Sequence, residues 1–350
     1  MLFSCVLLAA SASLSGCGSG SDVSGAKTQE TQESDAPKIG VSFDSFVIER
    51  WQRDRDVFVS TAQSLGAEVN VQNANGDAEE QISQIDYLIG KGMDVIVIIA
   101  IDRSGLADVI AKAKGKGIRV VCYDRLILDS DADLYVSFDN EKVGTLMAQS
   151  LEEALPDGGN VFEISGSASD NNVAQVKKGF ENELKDTNLA ITYSTYCDNW
   201  LAELAFDAVN NGLTETGKAV DGVMCGNDDL AGQAIKALTE QRLAGKVAVV
   251  GQDADLAACQ RIVEGTQEMS VYKSVDEEAA VAARLSVALA KGEDITAEDA
   301  EDRVTETISD GSYDIPYYRI DPVAVTKDNM DSVIIDGGFH LRDDQYMNVR

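Results

Sequence analysis

The sequence predicts an α/β protein made of two lobes, each a mostly parallel sheet built from βαβ units. Three observations carry this. Ten short apolar runs alternate with segments of helical spacing, the pattern of parallel sheets. Ten strands are too many for one ordinary sheet, so two sheets of five or six are expected. Two of the runs, 119–123 and 135–138, follow each other with no helix between them. This places the passage from one lobe to the next near Phe138–Asn140.

The elements follow in order. The chain opens on MLFSCVLLAASASLSGC, an apolar core at Leu2–Ala10 that gives way to small residues and Leu14-Ser15-Gly16-Cys17. That is the pattern of a lipoprotein signal over residues 1–17, cleaved before a lipid-bearing Cys17. Spanning a bilayer takes roughly 20 apolar residues, so this core is too short to do it. Residues 18–36 are rich in Gly, Ser, Thr, Gln and Glu without apolar periodicity, and read as a flexible linker. Apolar runs at Ile39–Phe43, Glu68–Val71, Val95–Ala100, Arg119–Tyr123 and Tyr135–Phe138 predict the strands of the first lobe. Those at Val161–Ile164, Ile191–Tyr196, Gly222–Cys225, Val247–Val250 and Met269–Tyr272 predict the strands of the second. Between them, Trp51, Phe58, Ala62 and Leu65 share one helical stripe, as do Val275, Ala279, Ala282 and Leu285.

Composition excludes several functions. The net charge is −31, from 60 acidic and 29 basic residues, which repels nucleic-acid phosphates. A sensor domain of a transcription factor would need a basic helix-turn-helix ahead of it, and none is present. Of six cysteines, Cys5 and Cys17 fall in the leader. Cys122, Cys197, Cys225 and Cys259 allow three pairings that sequence does not separate. There is no CxxC and no Cys/His cluster, so no metal site or cofactor is expected.

In open parallel sheets, ligands bind beyond the carboxyl ends of the strands. The residues at those ends here are Asp44, Asp124 and Arg125, Asp139 and Asn140, Asp170 to Asn172, Asn227 and Asp228, Gln252 and Asp253, and Lys273. Asp and Asn also cap helices, so any one of them has a structural explanation. Arg125 and Lys273 have none of that kind, because they lack acceptors. Carboxylates, amides and cations converging on one cleft suit a neutral polyhydroxylated ligand, whose hydroxyls both donate and accept. Trp51 and Trp200, the only tryptophans, stand at the same edge and offer flat faces to a sugar ring. A glycosidase would need a free carboxyl pair; Arg and Lys in the same cleft pair with Asp170 and Asp253 instead.

Several phrases carry a resemblance: Glu49–Asp56 (ERWQRDRD), Val71–Gly76 (VQNANG), Tyr123-Asp124-Arg125, Ser137–Gly144 (SFDNEKVG), Asp170-Asn171-Asn172, Gly251–Leu256 (GQDADL), Val271-Tyr272-Lys273 and the closing Asp336–His340. Across about Lys38 to Gly338 the chain resembles the ribose/galactose-type periplasmic binding proteins of sugar ABC importers. The resemblance implies two Rossmann-like lobes, 37–138 plus 275–318 and 139–274 plus 319–350, of the type I arrangement. A three-segment hinge near 138–140, 274–276 and 315–322 joins them. It implies sugar contacts at Arg50, Arg125, Asp170, Asn172, Trp200, Asn227, Asp253 and Lys273, with Trp51 and Asp124 beside them. Arg50 comes from the resemblance alone. The implied protein is an extracytoplasmic monomer, lipid-anchored at Cys17, that captures a monosaccharide, D-xylose foremost, and delivers it to a membrane permease. It is not an enzyme. A sensor feeding a chemoreceptor or histidine-kinase ectodomain would use the same pocket. Val47-Ile48, Ser167-Ala168-Ser169 and Asp198-Asn199 depart from the family's phrases beside that pocket.

Overall fold

The computed structural model describes residues 36–349. The signal over 1–17, the lipidation at Cys17 and the linker up to residue 35 lie outside the described residues. The chain runs β1 (Lys38–Phe43), α1 (Arg50–Ser64), β2 (Glu68–Asn73), α2 (Ala78–Gly90), β3 (Val95–Ile98), α3 (Ala107–Lys114), β4 (Arg119–Tyr123) and β5 (Leu134–Phe138). It continues with α4 (Asn140–Ala154), β6 (Gly159–Ser165), α5 (Asn171–Leu184), β7 (Leu189–Tyr196), a 3-10 turn at Asp198–Trp200 and α6 (Glu203–Glu215). Next come β8 (Gly222–Cys225), α7 (Asp228–Glu240), β9 (Ala248–Gln252), α8 (Leu256–Glu264) and β10 (Met269–Tyr272). The last part holds α9 (Val275–Ala290), β11 (Glu306–Ser309), β12 (Asp314–Ile320), β13 (Val323–Val325), a π-helical turn at Asp331–Ile335 and α10 (Arg342–Gln345). No helix among the described residues is long and apolar enough to cross a membrane.

The strands form two sheets, ordered β11-β12-β5-β4-β3-β1-β2 and β13-β10-β9-β8-β6-β7. Only the edge strands β11 and β13 run antiparallel to their neighbours. The central strands are buried on both faces, as parallel strands under helices must be. In β3, Val95 and Val97 join the core beneath α1 and α9, while Ile96 and Ile98 join the core beneath α2 and α3. The chain passes between the sheets three times: after β5, after β10 and after β12. β12 stays paired with β5 through Ile320, two residues past the boundary expected at 318.

The structure differs from the sequence reading in two places. The sheets hold seven and six strands, because β11, β12 and β13 follow the last run read as a strand, with β12 filling most of the crossover expected at 315–322. β13 is three residues long and β11 is mostly exposed, so neither leaves an apolar run to read. β12 contains Pro316, normally a mark against a strand; it sits just before Tyr317, the first residue paired with β5. Leu65 is not on the buried stripe of α1: it follows the last helical residue and is 40% exposed. Among the described residues the four cysteines are free and buried.

Helices α4 and α5 cross at two glycines. A Cβ on Gly144 would collide with the backbone carbonyl of Val176, and one on Gly179 with that of Glu141. Backbone cannot yield as a side-chain tip can. Gly179→Ala is expected to destabilise the fold by about 3 kcal/mol, the upper part of the range for overpacking. Urea unfolding at neutral pH measures it.

Candidate functional site

The carboxyl ends of the two sheets face one another across a narrow cavity with about 460 Å³ of empty space. The start of α1 supplies Arg50 and Trp51, and the end of β4 supplies Asp124 and Arg125. From the other sheet come Asp170 and Asn172 after β6, Trp200 after β7, Asn227 after β8, Asp253 after β9 and Lys273 after β10. All ten residues implied as sugar contacts line this cavity; of the other strand-end residues, Asp44, Asp139, Asn140, Asn171 and Asp228 do not. The sequence reading did not single out the apolar wall of Ile48, Val173, Val176 and Met224, nor Ser165, Gly166 and Gly226. Gln252, a strand-end residue by sequence, also lines it.

Trp200 is held in an unusual way. It and Asn199 both have left-handed backbone, at φ +57° and +53°, a region a bulky residue rarely enters. The ring lies over Gly166, where any Cβ would strike it, and beside Gly226. Its Nε1 donates to Asp170 Oδ2 at 3.2 Å. Trp51 is buried, with the guanidinium of Arg50 4.6 Å and that of Arg125 5.5 Å from its ring centre. Its Nε1 has no hydrogen-bond partner.

The charged groups form three clusters. Arg125 donates through Nη1 to Asp44 Oδ2 (2.7 Å) and to the carbonyl of Ala100 (2.9 Å), and pairs through Nε with Asp170 Oδ2 (2.8 Å). Arg50 donates to Asp54, Asp124 and Glu278. Lys273 pairs with Asp253 Oδ1 at 2.9 Å. Burial would raise Asp124, but Arg50, Lys273 and Arg125 outweigh it and hold its carboxyl below the usual value. At Asp44 and Asp170 burial outweighs Arg125, and both are raised. Asp124 and Asp253, which line the cavity, also have left-handed backbone, at φ +58° and +96°.

Capping and cavity lining turn out to be compatible. Asp170 Oδ1 accepts from the backbone N–H of Asn172, and Asn227 Oδ1 from that of Leu230, each at 2.9 Å. The remaining atoms of both side chains stay available: Asp170 Oδ2 meets Trp200 and Arg125, and Asn227 Nδ2 has no partner. Asp139 caps α4 and pairs with Arg319 at 3.0 Å, at a crossover rather than in the cavity. Asn172 Nδ2 bridges the sheets, donating to the backbone O and to Oδ2 of Asp124 at 3.0 Å each. Outside the cavity, the divergent Ser169 accepts from the N–H of Arg103 and donates to the carbonyl of Ile101, both at 3.0 Å.

Behind the cavity, burial pushes Asp228 up to about 7, against hydrogen bonds from Ser270 and Gln267, and its neighbour Asp255 is raised as well. The folded state therefore holds a proton that the unfolded chain releases near its ordinary value of 3.8. The contribution of Asp228 to stability is greatest below that value and declines as pH rises towards 7. At about 1.36 kcal/mol per pH unit, the loss is at most about 4 kcal/mol. Asp228→Asn should flatten this decline, as urea unfolding at acid and neutral pH would show.

The arrangement defines a two-lobe binding protein: paired donors and acceptors with two indoles, enclosed between opposed sheets. Residues 39–294 match the model of the periplasmic binding protein domain family, and the chain belongs to that family. It is 46% identical over 313 residues to the D-xylose-binding periplasmic protein of Haemophilus influenzae, covering 88% of this chain and 92% of that protein. It is 43% identical to the D-xylose-binding periplasmic protein of Escherichia coli K12, covering 87% and 91%. An ABC transporter solute binding protein from Clostridium phytofermentans, solved with bound β-D-glucose, matches with a TM-score of 0.79 at 29% identity, covering 88% of this chain and 99% of that one.

Proposed function

We propose that this protein captures a neutral monosaccharide, D-xylose foremost, outside the cytoplasm and presents it to an ABC importer. One observation carries the reading. The cavity places hydrogen-bonding groups of both kinds around two indoles and leaves buried polar atoms without partners, among them Asn227 Nδ2, Trp51 Nε1 and Ser165 Oγ. Sugar hydroxyls would satisfy such atoms, and the sugar's C–H faces would cover the rings. The ten lining residues are the proposed contacts. The two relatives named for D-xylose support the choice of sugar. The protein binds and does not catalyse, in keeping with its similarity to periplasmic binding proteins over most of the chain.

The two lobes move about the three crossovers in this reading, and a sugar touching both favours the closed form through its differential affinity. The three chain passages between the sheets support it. A monomer suffices, since one chain supplies the whole cavity. The tether at Cys17 belongs to the proposal and is supported by Leu14-Ser15-Gly16-Cys17. An alkyne fatty acid fed to cells should label the parent and not Cys17→Ala; a parent left unlabelled removes the tether.

A second reading, a binder of several monosaccharides, is favoured by the solved relative that holds β-D-glucose. Calorimetric titration with D-xylose, D-ribose, D-glucose and D-galactose separates the two. A clear preference for D-xylose is the expected result, and comparable affinity for glucose supports the broader reading. No heat and no thermal shift with any of the four rejects both.

A further inference from the structure

We propose that Glu278, which does not line the cavity, is a positioning residue for sugar capture: it fixes the Arg50 guanidinium so that Nη1 stays turned toward Asp124, Asp253 and the ligand. The inference rests on the sugar-binding reading above.

Arg50 carries five N–H groups. Nε donates to Asp54 Oδ2 at 3.1 Å, and Nη2 donates to Asp54 Oδ1 at 2.8 Å and to Glu278 Oε2 at 2.5 Å. These bonds lie on the side of the guanidinium away from the cavity. Nη1 donates to Asp124 Oδ1 at 3.1 Å and lies 4.0 Å from Asp253 Oδ1, too far for a hydrogen bond. One N–H on Nη1 is thus left for a ligand.

Two carboxylates at the cavity pull the guanidinium inward, so something must hold it back. Asp54 sits four residues along α1 and also accepts from the Tyr123 hydroxyl of β4, so it holds Arg50 to the first sheet alone. Glu278 comes from α9, whose first residue is two past Lys273, the partner of Asp253. Glu278 therefore ties Arg50 to the segment that crosses between the sheets. Truncating it would let the guanidinium swing onto Asp253 and occupy the space meant for the sugar.

Charge counting points the same way. Asp44, Asp54, Asp124, Asp170, Asp253 and Glu278 are all buried, against Arg50, Arg125 and Lys273. A buried cluster with twice as many acids as bases holds protons. Facing Glu278 are Arg50 and Asp54 from α1, Tyr123 and Asp124 from β4 and its end, Lys273 from the crossover, and Tyr135 and Tyr317 from β5 and β12. Burial raises Glu278 well above the usual carboxyl value, despite Arg50, and its Oε1 has no partner. As pH falls, Glu278 takes up a proton before Asp124 does, and its hold on Arg50 weakens.

The test is calorimetric titration of D-xylose into the parent, Glu278→Ala and Glu278→Gln from acid to mildly alkaline pH, with circular dichroism to check folding. Glu278→Ala should bind about tenfold more weakly or worse. Glu278→Gln keeps an acceptor for Nη2, so it should recover most of the affinity and show a flatter pH profile than the parent. Folded Glu278→Ala with parental affinity overturns the proposal. So does Glu278→Gln with an unchanged pH profile, which decides the matter if the alanine variant does not fold. A parent that binds no sugar overturns the sugar-binding reading itself, a result distinct from either.

Discussion

Arg125→Ala is expected to weaken D-xylose binding by about a hundredfold or more and to destabilise the fold by about 3–5 kcal/mol, the cost of removing one partner from a buried ion pair. The guanidinium joins Asp44 of the first sheet to Asp170 of the second and fixes the carbonyl of Ala100. Without it, two buried carboxyl groups lose their only cation. Both are already raised by burial, so both would take up protons more readily still. The stability deficit should therefore be largest above neutral pH and shrink as pH falls, because protonation removes the unpaired charge. Urea unfolding at two pH values measures the deficit, and titration calorimetry the binding. Parental affinity in the folded variant would mean that the sugar sits elsewhere.

Trp200→Ala should cost about 2–4 kcal/mol of binding free energy, the range for a buried aromatic anchor. The ring covers Gly166 and Gly226, neither of which has a side chain to fill its place. Alanine would leave a gap over two glycines where the sugar's apolar face should rest, and would strip Asp170 Oδ2 of its indole donor. Gly166→Ala attacks the same contact from beneath: its methyl group pushes the ring off its seat. A matching loss of affinity, with a change in the near-ultraviolet circular dichroism of tryptophan, is the expected result. Normal binding in both variants would remove the indole from the site.

Much of the cavity was legible because parallel sheets bring their carboxyl ends together, so chain order alone pointed to Asp124, Arg125, Asp170, Asn227, Asp253 and Lys273. Arg50 was not legible from pattern; it lies within a helix, and only the resemblance supplied it. Asp54 and Glu278 left no trace at all. Each is an acid among other charged residues, beside Arg53 and Arg55 or Asp276 and Glu277, where a solvated face is the ordinary reading. What buries them is the packing of α1 against α9, a contact between segments more than two hundred residues apart. Eight of the ten strands read from sequence were plain because both their faces are buried, and the edge strands β2 and β7 because their apolar residues alternate. β11 and β13 were hidden because edge strands need no apolar run, and β12 because a proline interrupts it.

Neither half of the molecule is one uninterrupted stretch of chain. The first sheet lacks an inner strand until Asp314–Ile320 has been made, and the second lacks its last until Val323–Val325. A nascent chain on the ribosome thus has no finished core until these late segments have been made. Slow completion of this kind suits a polypeptide that must be threaded through a membrane before it folds, because the topology itself postpones the knot of contacts that would block the passage.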